Sequence, residues 1–443
     1  MSSTIKFIVL RGNMIPKKIS LWDSVTLNAI TTDKFKTGVI SMTLHLPLTP
    51  KNAAHNMLIS GVMRRGTEKF KNAAALNRAL DELYATTVEF KSSRCGKNCL
   101  LTLSAEMLDN AFIPDGTDVL DGTAHILSQM LLCPLKENGV FTDEAVSKEK
   151  TNLIDSIKAE TNNPRAYASS RCLELMHRDD PDFPTFESML ADVSGASAST
   201  LYGYYQQLLC DSSLNIYYVG SESSERVAEV IKHHFSEFHG KKMPPTPISA
   251  EKFLGSIERT EPMAVLQGKL SMGFRTGICA NEKKYFAAVV FNEIFGGTPA
   301  SKLFMNVREK MSLCYYCASR YDSYTGNLTV AAGINVCDRE KTYNAILEQL
   351  DQIRNGNISD TEMAAAKEAI AHSFRQIYDY PLDLISFYSN KAIFDIEASP
   401  EEYGKLFNDV TKEDVVNVAK DVKLDSVFFL EGTLEGEEDV CDE

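Results

Sequence analysis

The sequence predicts an α+β protein made of two duplicated domains, each a mixed β-sheet covered by helices. Three observations predict this fold. The chain has 443 residues, which is too many for one hydrophobic core. Short segments recur in the same order in both halves, which indicates an internal duplication. Strand-like and helix-like periodicities alternate within each half, which favours mixed sheets with helices on one face.

The duplication rests on four pairs of related segments. Their offsets are 230 and 231 for the first two pairs and 217 for the last two. The change of offset indicates that the first half carries extra residues in its middle. The pairs are 39–42 with 269–272, 65–67 with 296–298, 163–164 with 380–381, and 192–193 with 409–410.

A proline-rich segment separates the halves. Prolines 244, 245 and 247 cannot continue a helix or join a central strand. Because closely spaced prolines favour an extended backbone, we predict a semi-rigid linker over residues 239–250. The predicted N-terminal domain is therefore 1–238, and the predicted C-terminal domain is 251–443.

Periodicity within the halves predicts individual elements. Alternating apolar residues indicate strands, and apolar residues three and four apart indicate helices. A turn-rich segment between two β-rich runs indicates a hairpin. The predicted elements are strands at 39–46 and 214–220, helices at 72–84 and 225–235, the second capped by Ser224, and a hairpin over 313–334 with its turn at 322–327.

Composition limits the partners and the compartment. The net charge of −14 provides no basic stripe for nucleic acid. The apolar run at 5–10 is too short for a signal peptide or a membrane span. Ten cysteines without a disulfide framework indicate reduced thiols, so we expect a cytoplasmic protein. Cys314 and Cys317 fall in a predicted strand, where residues three apart point to opposite faces, so we expect structural thiols rather than metal ligands.

Several short motifs resemble those of the pitrilysin (insulinase) family of zinc peptidases. The resemblance covers the whole chain and is strongest to bacterial two-domain members, some of which work as pairs of unlike subunits. It implies two duplicated pitrilysin-like domains. The motifs are 291–298, 301–304, 307–310, Leu313 and Tyr315 in the second half, and 65–67 and 149–157 in the first.

The metal helix of that family is degenerate in this chain. Active members carry H-x-x-E-H shortly before a Gly-Thr pair, and alignment on that pair places Met57 and Gly61 at the histidines and Ser60 at the glutamate. The third ligand, a glutamate, falls near Ser156. Two imidazoles four residues apart bind the zinc, and the glutamate acts on the zinc-bound water. The resemblance therefore implies no metal, no cofactor and no catalytic residue.

The remaining histidines do not replace the missing metal ligands, and the helix without ligands is expected to have only a structural role. None of the eight histidines has a second histidine four residues later, so a relocated metal site is disfavoured. Without ligands, helix 56–63 is expected to be a stability element in which Met57, Leu58, Val62 and Met63 pack in the core.

The second half keeps a substrate-binding pair of the family, here Arg308 and Tyr315. In active members these side chains hold the substrate and the oxygen that becomes negative during hydrolysis. The alternatives are that Arg308 pairs with Glu309 and that Tyr315 packs in the sheet, and Tyr316 is a rival for the phenol. A further hypothesis is that strand 328–334 and the loop at Gly296 and Gly297 line a chamber and pair with an extended peptide by adding a strand.

The resemblance implies a non-catalytic, substrate-binding subunit of a heterodimeric peptidase. Its partner would be a homologue with an intact H-x-x-E-H helix, although a homodimer is also compatible with the sequence. The alternative is a structural subunit of a complex with no role in proteolysis. In both cases the chain alone is expected to be a pseudoenzyme without membrane or nucleic-acid contacts.

Overall fold

A computed structural model describes residues 14–242, 248–393 and 398–434. The apolar run at 5–10 and the three linker prolines lie outside these residues. Among the described helices, none combines the length and the apolar character that crossing a bilayer requires.

The strands form two large sheets and one small ladder. They are β1 (Lys17–Trp22), β2 (Val25–Thr31), β3 (Thr37–Pro47), β4 (Thr87–Cys95), β5 (Asn98–Leu108), β6 (Lys136–Glu137), β7 (Val140–Phe141), β8 (Leu214–Gly220), β9 (Ile257–Met263), β10 (Gly268–Arg275), β11 (Tyr316–Asp322), β12 (Asn327–Ile334) and β13 (Lys423–Gly432).

Helices cover both sheets. The α-helices are α1 (Pro50–Val62), α2 (Ala73–Glu82), α3 (Val119–Leu132), α4 (Asp143–Lys158), α5 (Pro164–Met176), α6 (Phe186–Gly195), α7 (Ala198–Asp211), α8 (Ser224–Phe235), α9 (Tyr285–Asn292), α10 (Arg339–Arg354), α11 (Asp360–Gln376), α12 (Pro381–Ile393), α13 (Pro400–Lys405) and α14 (Lys412–Asp421). Two π-helical segments, Glu293–Gly297 and Leu303–Lys310, follow α9.

The two large sheets share the topology of five strands. Sheet I has the order β1-β2-β8-β3-β5-β4, and sheet II has the order β11-β12-β10-β13-β9. Read from the opposite edge, sheet II repeats the last five strands of sheet I. Each contains one parallel pair, β2 with β8 and β9 with β13, and otherwise antiparallel pairs. The duplicated α+β fold with mixed sheets is therefore confirmed.

The predicted elements are present with small shifts of their ends. Strand β3 extends the predicted 39–46 by a few residues, β8 matches 214–220, and β11 and β12 form the predicted hairpin. The cap of α8 is a correction. Ser223, not Ser224, precedes the helix, and its Oγ accepts a hydrogen bond from the Arg226 backbone N–H at 3.2 Å.

Two helices cross between the halves. Helix α5 follows the first-half helices but packs on sheet II, where Tyr167 and Cys172 contact Phe428 and Leu430. Helix α12 belongs to the second half by sequence but packs against β8 and β3 of sheet I. These exchange helices, α5 and α12, begin at the paired segments 163–164 and 380–381. All strands of sheet I thus precede the predicted linker in the sequence and all strands of sheet II follow it, whereas α5 and α12 each pack on the sheet of the other half. The domain boundaries stay a prediction.

A buried network of charges joins the end of α5 to sheet II. Arg275, which is 3% exposed, donates to Asp425 Oδ2 at 3.2 Å and also pairs with Glu251. Arg178 contacts the other oxygen of Asp425 at 3.1 Å, and His177 Nδ1 lies 2.9 Å from Glu251 Oε1. Burial opposes ionisation of Glu251, but His177 and Arg275 outweigh it and bring its pKa to about 2.

Candidate functional site

Helix α1 presents the degenerate positions on its outer face. Thr49 caps the helix, and Leu58, Ile59 and Val62 are buried below it. Met57, Ser60 and Gly61 recur at helical spacing on the opposite face. The expectation that Met57 packs in the core is wrong, because this side chain is 39% exposed. Leu58, Val62 and Met63 are buried as predicted.

A carboxylate that the sequence did not predict lies against Gly61. A Cβ atom at Gly61 would be only 2.5 Å from Glu149 Oε2. Glu149 also accepts a hydrogen bond from Arg65 Nε at 2.5 Å, and the two side chains are only 15% and 31% exposed. An ion pair therefore stands beside the helix position that the family resemblance aligns with a histidine of active members.

Helix α4 supplies this glutamate two turns before the predicted position. Ser156 is exposed, and its equivalence to the third ligand stays a prediction. Glu149 projects from α4 towards Gly61 of α1. A glutamate opening the quoted segment 149–157 was a usable signal, but its partner Arg65 is 84 positions away along the chain.

Two clefts flank the degenerate face. The first, of about 360 Å³, lies beside the Arg65–Glu149 pair and is bordered by Gly61, Asn77 and Val88. The second, of about 280 Å³, includes Met57 in its wall. Strand β4, at the edge of sheet I, contributes residues to both clefts.

The backbone at the end of this helix requires a glycine. Gly66 has a φ of 153°, and a Cβ atom there would lie 2.7 Å from the Phe70 carbonyl oxygen. A side chain at this position would be strained in both respects. Gly66 therefore ends the helix for a conformational reason, which explains a match to the family motif that persists without the metal ligands.

In the second half, the structure brings Arg308 and Tyr315 together. Arg308 Nε donates to the Tyr315 carbonyl oxygen at 3.0 Å, and the guanidinium lies 4.5 Å from the Phe304 ring centroid. Arg308 also pairs with Glu309 at 3.2 Å, as the alternative interpretation predicted. The Arg308 side chain is 37% exposed.

Tyr315 and Tyr316 have different environments. Tyr315 precedes β11, is 52% exposed, and donates through its hydroxyl to Asn335 Oδ1 at 3.3 Å, so it does not pack in the sheet. Tyr316 is the first residue of β11, and the Arg165 guanidinium lies 4.0 Å from its ring centroid. Burial raises the pKa of Tyr316 to about 12. Tyr315 is thus the more accessible phenol.

Strand addition at residues 328–334 is ruled out by the sheet. Strand β12 pairs with β11 on one side and with β10 on the other, so both of its edges are already hydrogen-bonded. The strand-addition part of that hypothesis is therefore wrong. The reason is that a hairpin signal does not reveal which of its strands ends up inside the sheet.

The cysteine pair also differs from expectation. Cys314 precedes β11, and its thiol is hydrogen-bonded to that of Cys317, which lowers the pKa of Cys314. The prediction that the two side chains diverge is wrong because only one of them is in the strand. Both thiols are free and buried in the core of the second half.

Over the three described ranges, one cluster of potential metal ligands has its donor atoms within 4.8 Å of one another. It consists of His177, Asp180 and Glu251. Glu251 already pairs with Arg275, and Arg178 is close by in the same network. Because Arg275 already neutralises the Glu251 carboxylate, the cluster is better described as part of a buried ion-pair network.

These features define a class of protein: a duplicated metallopeptidase-type fold whose metal helix lacks ligands. A family model for the peptidase M16 inactive domain matches residues 196–370. The chain is also 31% identical over 421 residues to the probable inactive metalloprotease YmfF of Bacillus subtilis (strain 168), covering 92% of this chain and 96% of that protein. The chain belongs to the peptidase M16 family, which confirms the pitrilysin resemblance.

Solved structures agree in fold. A conserved protein from Enterococcus faecalis V583 superposes with a TM-score of 0.87 at 28% identity, over 95% of this chain and 100% of that one. A peptidase M16 inactive domain from Pseudomonas fluorescens superposes with a TM-score of 0.77 over 95% of this chain and 99% of the other. Its 14% identity makes it evidence for the fold alone.

Proposed function

We propose that this chain is the non-catalytic, peptide-binding subunit of a two-subunit peptidase, in which a homologue supplies the zinc helix. One observation carries the proposal. Arg308 and Tyr315 are adjacent and accessible, whereas Met57, Ser60 and Gly61 offer no imidazole or carboxylate. The chain retains the groups that hold a substrate and lacks those that activate water.

The chemistry of the retained pair suits an acyl group. A guanidinium and a phenol directed at a carbonyl oxygen stabilise the negative charge that develops on it more than they stabilise the ground state. Contacts with Phe304 and Glu309 restrict the Arg308 side chain before a ligand arrives. Such preorganisation reduces the ordering cost of binding.

The first half is consistent with a partner that supplies the catalytic groups. The Glu149 carboxylate is engaged by Arg65, so it is not a free base beside the helix. Hydrolysis by this family's chemistry needs a metal-bound water and a base. In our proposal, both belong to the partner.

Reconstitution tests the proposal. The purified chain is mixed with a purified homologue that has an intact H-x-x-E-H helix, and cleavage of quenched fluorescent peptides is followed. We expect activity in the mixture only, and a loss of about a hundredfold with Arg308→Ala. Lys310→Ala, an exposed neighbour in the same segment, is the matched control and should retain activity.

Two outcomes would count against this function. If the mixture forms a complex whose activity does not depend on Arg308 or Tyr315, the chain is a scaffolding subunit. If the chain assembles only with itself and no homologue binds, the proposal of a two-subunit peptidase is wrong. Size analysis of the separate and mixed proteins distinguishes these cases.

A further inference from the structure

Two cations lie together at sheet II, and the described part of the chain offers neither an acidic partner. Arg165 is near the start of α5, and Lys269 is on β10. Over residues 14–242, 248–393 and 398–434, neither side chain forms an ion pair, and Lys269 Nζ donates only to the neutral Gln267 at 3.1 Å. In a chain with 60 acidic and 46 basic residues, an acid would be the expected neighbour.

The arrangement costs stability. Burial of Lys269 lowers its pKa, and the charge of Arg165 lowers it further. A half-buried ammonium beside a second cation is unfavourable without a compensating anion. Groups whose ionisation is perturbed by burial and a neighbouring charge cluster at functional sites, which makes this pair of cations a candidate binding site.

The sheet places an aromatic ring between the two cations. Tyr316 pairs with Gly333 across β11 and β12, and Gly333 pairs with Lys269 across β12 and β10. A Cβ atom at Gly333 would be 2.5 Å from Tyr316 Cε1, so the ring lies over the strand where no side chain stands. The guanidinium of Arg165 lies 4.0 Å from the same ring centroid.

We propose that Arg165, Lys269 and Tyr316 form a carboxylate-binding patch for the peptide held by Arg308 and Tyr315. The inference rests on the proposed function and specifies its substrate class, namely peptides with an acidic side chain or a free C-terminal carboxylate near the bound segment. A guanidinium can bind both carboxylate oxygens, and the ammonium adds a second positive charge. The aromatic ring restricts the guanidinium through a cation–π contact.

The position of the patch fits this role. Tyr315 and Tyr316 are consecutive at the start of the edge strand β11, so their side chains point to opposite sides of the sheet. An extended peptide along this edge also alternates its side chains, so one residue can face the Arg308–Tyr315 pair while the next presents a carboxylate to the patch. The overall charge of −14 would repel acidic peptides elsewhere on the surface, which makes a local cationic patch selective.

Three octapeptide pools test the patch on the intact chain. The first is C-terminally amidated and contains Asp and Glu, the second has a free C terminus but no acidic side chains, and the third is amidated and has neither. Each pool is passed over immobilised protein, and the retained peptides are quantified by mass spectrometry. We expect preferential retention of the first pool, the second or both, which identifies the source of the carboxylate.

Variants connect the preference to the patch. Arg165→Gln and Lys269→Met should each reduce the retention of carboxylate-bearing peptides about tenfold. Lys420→Gln removes the same charge from an exposed residue of α14 and should change nothing. Lys269→Met should leave thermal stability unchanged or higher because it removes an unfavourable charge, whereas a structural lysine would show a loss.

The outcomes separate the patch from the proposed function. If all three pools are retained equally and both variants behave like the wild type, the patch is refuted while peptide binding stands. If no pool is retained at all, both the patch and the peptide-binding role are refuted. A carboxylate preference that disappears with Arg165→Gln and Lys269→Met, but not with Lys420→Gln, supports the inference.

Discussion

The two halves of this molecule share the order of five strands but differ in the helical segments that follow β3 and β10. In the first half, Gly61 lies against the Arg65–Glu149 ion pair, and no metal-binding residue type stands at the aligned positions. In the second half, a π-helical segment holds Arg308 at the surface beside Tyr315. In our proposal, one topology has lost its chemistry in one copy and keeps a binding surface in the other.

The exchange helices make the two halves one structural unit. Since α5 covers sheet II and α12 packs on sheet I, separating the halves would expose the core of both. The buried network around Arg275 reinforces the connection at the end of α5. A binding surface in one half can thus depend for its position on the other.

The largest effect is expected from breaking the connection between the halves. Arg275→Met leaves the carboxylates of Asp425 and Glu251 buried without their main cation, so we expect a loss of about 3–5 kcal/mol in the free energy of unfolding. Urea denaturation measures it. The control, Lys284→Met, removes an exposed pair with Asp421 and should cost at most about 1 kcal/mol. Equal losses in the two variants would show that the network does not bind the halves.

Acid should weaken the same connection. The pKa of Glu251 is about 2 in the folded chain against a usual 4.5. For a depressed carboxyl pKa, the stabilisation is complete above the unfolded value and is lost as pH falls towards the folded one. We expect a loss of about 3 kcal/mol between pH 5 and pH 2, followed by fluorescence. Glu251→Gln should be less stable at neutral pH and show a shallower acid dependence; an identical slope would contradict the assignment.

Introducing two histidines tests whether α1 and its surroundings still have the geometry that zinc binding requires. In the variant Met57→His/Gly61→His, two imidazoles share the exposed face of α1, and Glu149 can become a third ligand once it leaves Arg65. Zinc at a hundredfold excess over its dissociation constant should stabilise this variant by about 2.7 kcal/mol. The control, Met57→Asn/Gly61→Asn, should show no zinc-dependent change in melting temperature. If zinc does not stabilise the double-histidine variant, the geometry for zinc binding has been lost at this site.

The ion pair at Gly61 should contribute a smaller amount. Glu149→Gln leaves Arg65 without a carboxylate in a partly buried position, and we expect a cost of about 1–2 kcal/mol. Asp155→Asn, an exposed acid on the same helix, should stay within about 0.5 kcal/mol. Chemical denaturation compares the two. If both are neutral, the pair does not stabilise the first half.

The smallest effect on stability is expected at the retained pair. Arg308 is at the surface and its ion pair with Glu309 is exposed, so Arg308→Ala should change the free energy of unfolding by less than about 1 kcal/mol. Calorimetry measures it. A loss above about 2 kcal/mol would assign Arg308 to the structure instead of to binding, and would explain any loss of activity without a functional role.

Local signals in the sequence predicted the elements but not their partners. The hairpin at 316–334 and strand β3 follow from residues within the segments themselves. The crossing of α5 and α12 does not, because an amphipathic pattern shows that a helix is covered without showing by which sheet. The internal duplication predicted that the two helices begin at equivalent positions, but only the structure shows which sheet each helix covers.

The site was predictable in the same uneven way. The family resemblance, aligned on the Gly-Thr pair, assigned the degenerate positions and the pair of Arg308 and Tyr315, and both assignments stay predictions. The exposure of Met57 was missed because Met57, Leu58 and Ile59 are all apolar, so their sequence does not define one buried face. Glu149 was missed because its pairing with Arg65 joins distant parts of the chain.

A hydrolysis assay of the purified chain tests most directly the claim that it cannot cleave peptides without a partner. The protein is saturated with zinc and incubated with the three octapeptide pools, with and without a chelator, and products are identified by mass spectrometry. We expect no chelator-sensitive cleavage, because the aligned positions hold methionine, serine and glycine where the chemistry needs imidazoles and a carboxylate. Cleavage by the lone chain that stops on chelation would contradict the account.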